Sequence, residues 1–163
     1  MLDDDVPLEA VLNTLDRLYR LATDYGLRID CIRLADTMGW ANPRQMIITI
    51  DAVRERWPDI PLGLHLHDTR GLGLANAYAA LTRGVTMFDA SIAGLGGCPF
   101  AGHKGAAGNI ATEDFVFLCH ELGIETGIDL DRLIECAKLA ERIIGRPLPS
   151  KVKDGANLAV YRN

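Results

Sequence analysis

No apolar run in this chain approaches the ~20 residues that cross a bilayer, which argues against a helical membrane span within it. The N-terminus opens on Asp3, Asp4 and Asp5 rather than on basic residues, so no signal peptide is expected and the expected location is cytoplasmic. The four cysteines, Cys31, Cys98, Cys119 and Cys136, are widely spaced and form no C-x-x-C pair. That argues against both a zinc knuckle and a disulfide framework and leaves four expected thiols. There is no excess of basic charge: the net charge is −5, with acids and bases interspersed. Neither a nucleic-acid footprint nor a patch for an anionic membrane follows from such a pattern, and small molecules and protein are the expected partners. Low-complexity segments and internal repeats, beyond a strand-then-helix cadence, are missing too.

What is present is apolar residue in quantity, 48% of 163 residues. A chain of that size folding on itself buries roughly 70% of its unfolded surface, and one domain spanning 1–163 is the default. Val11, Leu12, Leu15, Leu18 and Ala22 form a helical stripe between Val6 and Tyr25, with Pro7 at its start and Gly26 as its stop. Arg28 to Ala35 reads as a strand ending at Asp36-Thr37, and Asn42-Pro43 as the cap and first residue of a helix running to about Trp57. Leu62 to His67 reads as a second strand and Leu72 to Thr82 as its helix, ended by Gly84. Val85 to Ser91 reads as a third strand. A glycine-rich stretch follows from Gly94 to Gly108, then helices near Thr112 to Leu122 and Asp129 to Ile144, and a loose tail after Pro147.

Strands near positions 28, 62 and 85, each followed by a helix, are spaced like units of a parallel α/β fold. An eightfold barrel needs about eight such units and about 250 residues, and an open flavodoxin-like sheet about five strands. The expected fold class is therefore α/β, part of a (β/α)8 TIM barrel: its last three βα units plus C-terminal helices. In such barrels the chemistry gathers at the C-terminal ends of the strands. Asp36, His65, His67 and the glycine-rich loop all fall there.

His65 and His67, in the run LHLHDT, are two apart on a strand and point the same way, with Leu62, Leu64 and Leu66 on the opposite face. Imidazole is the commonest protein ligand for transition metals, so the pair forms half a metal site, although two structural histidines fit the same pattern. Cys98 sits in GLGGCPF, where glycines permit positive φ and close approach to a ligand. It is a candidate catalytic thiol, the alternative being a structural cysteine. Asn109, in GAAGN, is either a helix N-cap or a ligand, with Thr112 as a competing cap. Asp36 and Asp68 are candidates for general base, ligand or partner of a histidine N–H. Arg70, His103 and Lys104 are rim cations suited to a carboxylate or a CoA phosphate, or else solvated surface charge.

Four segments, IRLADTMG (32–39), LHLHDTRGLGLAN (64–76), AGLGGCPFA (93–101) and GNIATED (108–114), together resemble 3-hydroxy-3-methylglutaryl-CoA lyase of the DRE-TIM metallolyase superfamily, in order and in spacing. The resemblance runs from about Pro7 to Val152, and GLGGCP is its specific part. H-x-H before a glycine-containing helix start is shared with isopropylmalate synthases and pyruvate carboxyltransferases. It implies that His65, His67 and Asn109 ligate a divalent cation, Mg2+ or Mn2+, that Cys98 is a catalytic loop thiol, and that Asp36 lies near the substrate. The implied reaction is retro-Claisen cleavage of an acyl-CoA. Of the rim cations, Arg70 and Lys104 are the expected substrate contacts. A somewhat longer loop at His103-Lys104 departs from the family pattern.

The family also takes an aspartate ligand and a catalytic arginine from an Arg-Asp pair on the first barrel strand. By the resemblance the present strands correspond to the sixth, seventh and eighth. The chain is thus expected to be the C-terminal portion of a lyase barrel, with little or no activity alone. Its expected partners are an acyl-CoA and either a second copy or a separately encoded N-terminal half.

Overall fold

The computed structural model describes residues 6–96, 108–155 and 157–162. Helix α1 (Leu8–Asp24) leads into strand β1 (Ile32–Asp36), helix α2 (Pro43–Arg56), strand β2 (Leu62–Leu66), helix α3 (Gly73–Thr82) and strand β3 (Met87–Asp89). Helices α4 (Thr112–Glu121), α5 (Leu130–Ile144) and the short α6 (Val152–Gly155) follow. No helix among the described residues is long and apolar enough to cross a membrane.

The three strands form one parallel sheet in the order β1-β2-β3. Parallel strands need crossover connections, and α2 and α3 provide them. Side-chain alternation divides the sheet into two faces. Ile32 and Leu34 of β1, Leu62, Leu64 and Leu66 of β2 and Phe88 of β3 belong to a core shared with Met46, Ile50 and Val53 of α2 and Ala77 and Ala80 of α3. Leu64 and Leu66 are fully buried. The register sets two rows on the opposite face: Arg33, Gly63 and Met87, then Ala35, His65 and Asp89 one step nearer the C-terminal ends.

The start of α2 follows its sequence signals closely. Asn42 Oδ1 accepts from the Gln45 amide at 3.0 Å, and the Asn42 amide donates to Gln45 Oε1 at 3.1 Å. With Pro43 at the first helical position this is a complete capping box. Asn42→Ala is expected to lower stability by about 1 kcal/mol, read as a shift in the urea midpoint at unchanged slope.

Two expectations are corrected. Strand β3 is shorter than Val85–Ser91, because the Val85 amide is drawn back to Ala80 O at the end of α3 and the Ser91 amide donates to Ile110 O. Ser91 thus pairs with the returning segment, in a parallel bridge to Ala111. Residues 148–154, expected as part of a loose tail, are also held in place. Leu148, Ser150 and Lys153 are buried, and the Asp114 carboxylate accepts from Ser150 Oγ and the Val152 amide, both at 2.8 Å. Lys153 Nζ pairs with Glu141 of α5 at 2.9 Å and with Asp154 at 2.7 Å, and these bonds hold the ammonium above its ordinary pKa.

Among the described residues β1 has a strand neighbour on one side only. A cavity of about 730 Å³ opens along its free edge, lined by Leu8, Val11, Leu34, Ala35, Trp40 and Met46 among others. Nearby, α1 leaves Leu18 and Tyr19 exposed beside Ile32 and Arg33 of β1.

Candidate active site

The two histidines leave β2 on the face away from the core, with ring centroids 4.9 Å apart in an edge-to-face arrangement. Each has an oxygen beside Nδ1. His67 Nδ1 lies 2.9 Å from Asp36 O, and His65 Nδ1 lies 3.4 Å from Asp89 Oδ2. A carbonyl oxygen only accepts, so a neutral His67 carries its proton on Nδ1, whereas at His65 the 3.4 Å approach of Asp89 Oδ2 is a charge contact rather than a hydrogen bond. That leaves Nε2 of His67 as a lone-pair donor, the arrangement that outer oxygen partners give to metal-binding histidines.

Asn109 is brought beside them by backbone pairing. It forms an antiparallel bridge with His67, flanked by the Asp68 amide donating to Gly108 O and the Ile110 amide donating to Leu66 O. Of the alternatives open in the sequence, helix capping is removed: α4 has Ala111 at its N-cap, and Asn109 Nδ2 donates to Leu95 O at 3.1 Å instead. Asn109 Oδ1 is buried with no hydrogen-bond partner among the described residues. Asn76 Oδ1 and Glu113 Oε1 are alike in that respect, but neither is paired to the histidine segment. A buried amide oxygen without a donor is unfavourable by about 1–3 kcal/mol unless something binds it. Two imidazole lone pairs and one orphaned amide oxygen fit a divalent cation. Among the described residues no group of three His, Cys, Asp or Glu side chains is placed to hold a metal, so such a set depends on Asn109.

Glycines hold this corner together. A Cβ on Gly96 would stand 2.8 Å from Asn109 Nδ2, and one on Gly108 would overlap the Gly96 backbone. Gly96 and Gly108 therefore touch, and residues with side chains do not fit there. Cys98, His103 and Lys104 lie outside the described residues.

The carboxylates serve local architecture. Asp36 Oδ1 accepts from the Trp40 amide at 3.0 Å and from the Ala41 amide at 3.3 Å, fixing the loop after β1. Asp68 Oδ1 accepts from the Gly73 amide at 2.7 Å at the start of α3. Burial pushes the Asp68 carboxyl above its ordinary pKa against the pull of that bond. Arg70 donates to Met38 O at 3.0 Å and lies over the Trp40 ring. The large cavity reaches Asp36 but neither histidine. Asp89 and Arg33, whose side chains form an ion pair on the open face, were not among the sequence candidates. Their signal was parity: both occupy the alternate positions that His65 shares.

A family model described as HMGL-like matches residues 5–140. The chain belongs to the HMGL-like family. It is 41% identical over 161 residues to hydroxymethylglutaryl-CoA lyase YngG of Bacillus subtilis, covering 99% of this chain and 50% of that protein. It is 49% identical over 121 residues to (R)-citramalyl-CoA lyase of Chloroflexus aurantiacus, covering 74% of this chain and 38% of that one. Among solved structures, an HMG-CoA lyase from Acinetobacter baumannii in complex with coenzyme A and 3-methylmalate superposes with a TM-score of 0.80 at 41% identity, over 96% of this chain and 49% of its own. The chain spans about half the length of these lyases, and its three βα units are part of an HMGL-like TIM barrel.

Proposed function

We propose that the chain supplies the histidine and asparagine part of a lyase site that cleaves 3-hydroxy-3-methylglutaryl-CoA to acetyl-CoA and acetoacetate. His65, His67 and Asn109 would hold a divalent cation, Mg2+ or Mn2+. The observation that carries this reading is the pairing of His67 with Asn109, whose buried Oδ1 has no donor. A cation bound there supplies Lewis-acid polarisation of substrate oxygens.

In the cleavage the tertiary hydroxyl loses its proton, its electron pair becomes the acetoacetate carbonyl, and the adjacent carbon–carbon bond breaks. Acetyl-CoA leaves as its enolate and takes up a proton. His67 keeps Nε2 presented because its Nδ1 donates to Asp36 O at 2.9 Å, and His65 Nδ1 faces Asp89 Oδ2 at 3.4 Å. Cys98 is the proposed proton donor to the enolate; it lies in sequence between Gly96 and Gly108, which meet beside Asn109. Asp36 shapes the rim loop and, with Arg70 and Lys104, completes the proposed substrate contacts.

We further propose that cleavage requires more barrel strands at the two edges of the sheet, β1 and β3, whether from another segment of the same protein, a separate polypeptide or a second copy. An unpaired parallel edge near exposed Leu18 and Tyr19 favours such pairing. The purified chain with Mn2+ is expected to release little acetyl-CoA from HMG-CoA, and to gain activity when co-expressed with the N-terminal half of a homologous lyase. Full activity of the chain alone contradicts the need for further strands. The 49% identity to a citramalyl-CoA lyase favours a second reading, cleavage of another 3-hydroxyacyl-CoA. Parallel assays with HMG-CoA and citramalyl-CoA decide between them by their kcat/KM ratio.

A further inference from the structure

The open face of the sheet carries a polar relay that crosses all three strands. Arg33 on β1 and Asp89 on β3 are separated by β2, yet the Arg33 guanidinium reaches Asp89 Oδ1. The path runs over Gly63, the residue paired with both Arg33 and Met87. A Cβ at Gly63 would lie 3.5 Å from Arg33 Nε, an ordinary contact, and 3.3 Å from Met87 Cβ, so the arginine side chain passes directly over Gly63. The second carboxylate oxygen, Oδ2, stands 3.4 Å from His65 Nδ1. The two oxygens of Asp89 are thus divided, one to the arginine and one to the imidazole.

We propose that Arg33 is a positioning residue for His65, acting through Asp89. A lone carboxylate on the last residue of a short strand has rotational freedom about its terminal torsion. A guanidinium on Oδ1 removes that freedom and leaves Oδ2 facing Nδ1 at 3.4 Å, which favours the Nδ1–H form of His65 and sets the plane of its ring. Stability does not account for the pair. Its side chains are 45% and 37% exposed, and ion pairs so exposed add little to folding. Alignment of a ring is a use in which a half-exposed pair is still effective, because it depends on direction rather than on binding strength.

The inference rests on the proposed cation site for its consequence, but not for its first test. With 15N-histidine under alkaline conditions, the wild-type chain should show His65 predominantly as the Nδ1–H tautomer, and Arg33→Met should shift it toward a mixture. Mn2+ affinity, read by electron paramagnetic resonance of the free ion, should fall about tenfold in Arg33→Met and more in Asp89→Asn, the range that outer partners of ligating histidines give. Arg33→Lys should restore most of both signals. Circular dichroism checks folding, and Arg33→Lys with Asp89→Asn carries the test should Arg33→Met not fold. Unchanged tautomer populations in the folded variants overturn the proposal, as does a wild-type His65 without an Nδ1–H preference. A wild-type chain that binds no Mn2+ while its tautomer responds to Arg33→Met sinks the cation site and leaves the relay standing.

Discussion

His67→Ala reduces Mn2+ affinity at least a hundredfold, a loss of about 2.8 kcal/mol or more in binding free energy. This expectation follows from how little redundancy the donor set has. Among the described residues the cation would depend on two imidazoles and one amide oxygen, and His67 is the member paired to both neighbours. Its backbone bridges Asn109, and its Nδ1–H is held by Asp36 O at 2.9 Å. Removing the ring deletes one donor and leaves Asp36 O without the imidazole N–H. His120→Ala is the control: its ring contacts Thr126 Oγ1 at 3.0 Å beyond α4, away from the sheet, and Mn2+ affinity should not change. Direct titration by electron paramagnetic resonance reads both variants. Equal affinities for wild type and His67→Ala would remove the histidine pair from the site.

The same residues illustrate what the sequence made legible. H-x-H in an otherwise aliphatic strand reports its own geometry, because strand parity puts both rings on one face whatever the rest of the fold does. The βα cadence was readable for the same reason: α2 is delimited by Asn42, Pro43 and Trp57, and local signals of that kind are realised as a capping box. Asn109 was ambiguous because asparagine before a helix caps more often than it ligates, and only the long-range pairing with His67 redirects it. Asp89 and Arg33 are harder still. Each looks like an isolated charge near a strand, and their relation appears only when the register aligns Ala35, His65 and Asp89 in one row. The segment after Pro147 misled for a related reason. Its composition is that of a polar terminus, whereas its order comes from a carboxylate distant in sequence.

That carboxylate, Asp114, carries the largest expected stability effect. It is 8% exposed, and its oxygens accept from Ser150 Oγ at 2.8 Å, the Lys151 amide at 3.0 Å and the Val152 amide at 2.8 Å. Bonds to a charged acceptor contribute about 1.5–3 kcal/mol each, and buried donors left without a partner add to the loss. Asp114→Ala is therefore expected to lower stability by about 3 kcal/mol or more, a large part of the 5–15 kcal/mol typical of a domain. For a chain of this size that corresponds to a fall in Tm of about 6–12 °C. Asp114→Asn keeps one acceptor oxygen and should fall between the variant and wild type. The loss is also local before it is global. The carboxylate docks residues 150–152 against α4, and Lys153 is tied in turn to Glu141 of α5. Hydrogen exchange at the Lys151 and Val152 amides should accelerate in Asp114→Ala at temperatures where the amides of β2, between β1 and β3, remain protected. An unchanged Tm together with unchanged protection at Lys151 and Val152 would show that the segment is held by its apolar contacts, Leu148 against Ala93 and Ala137, and not by the carboxylate.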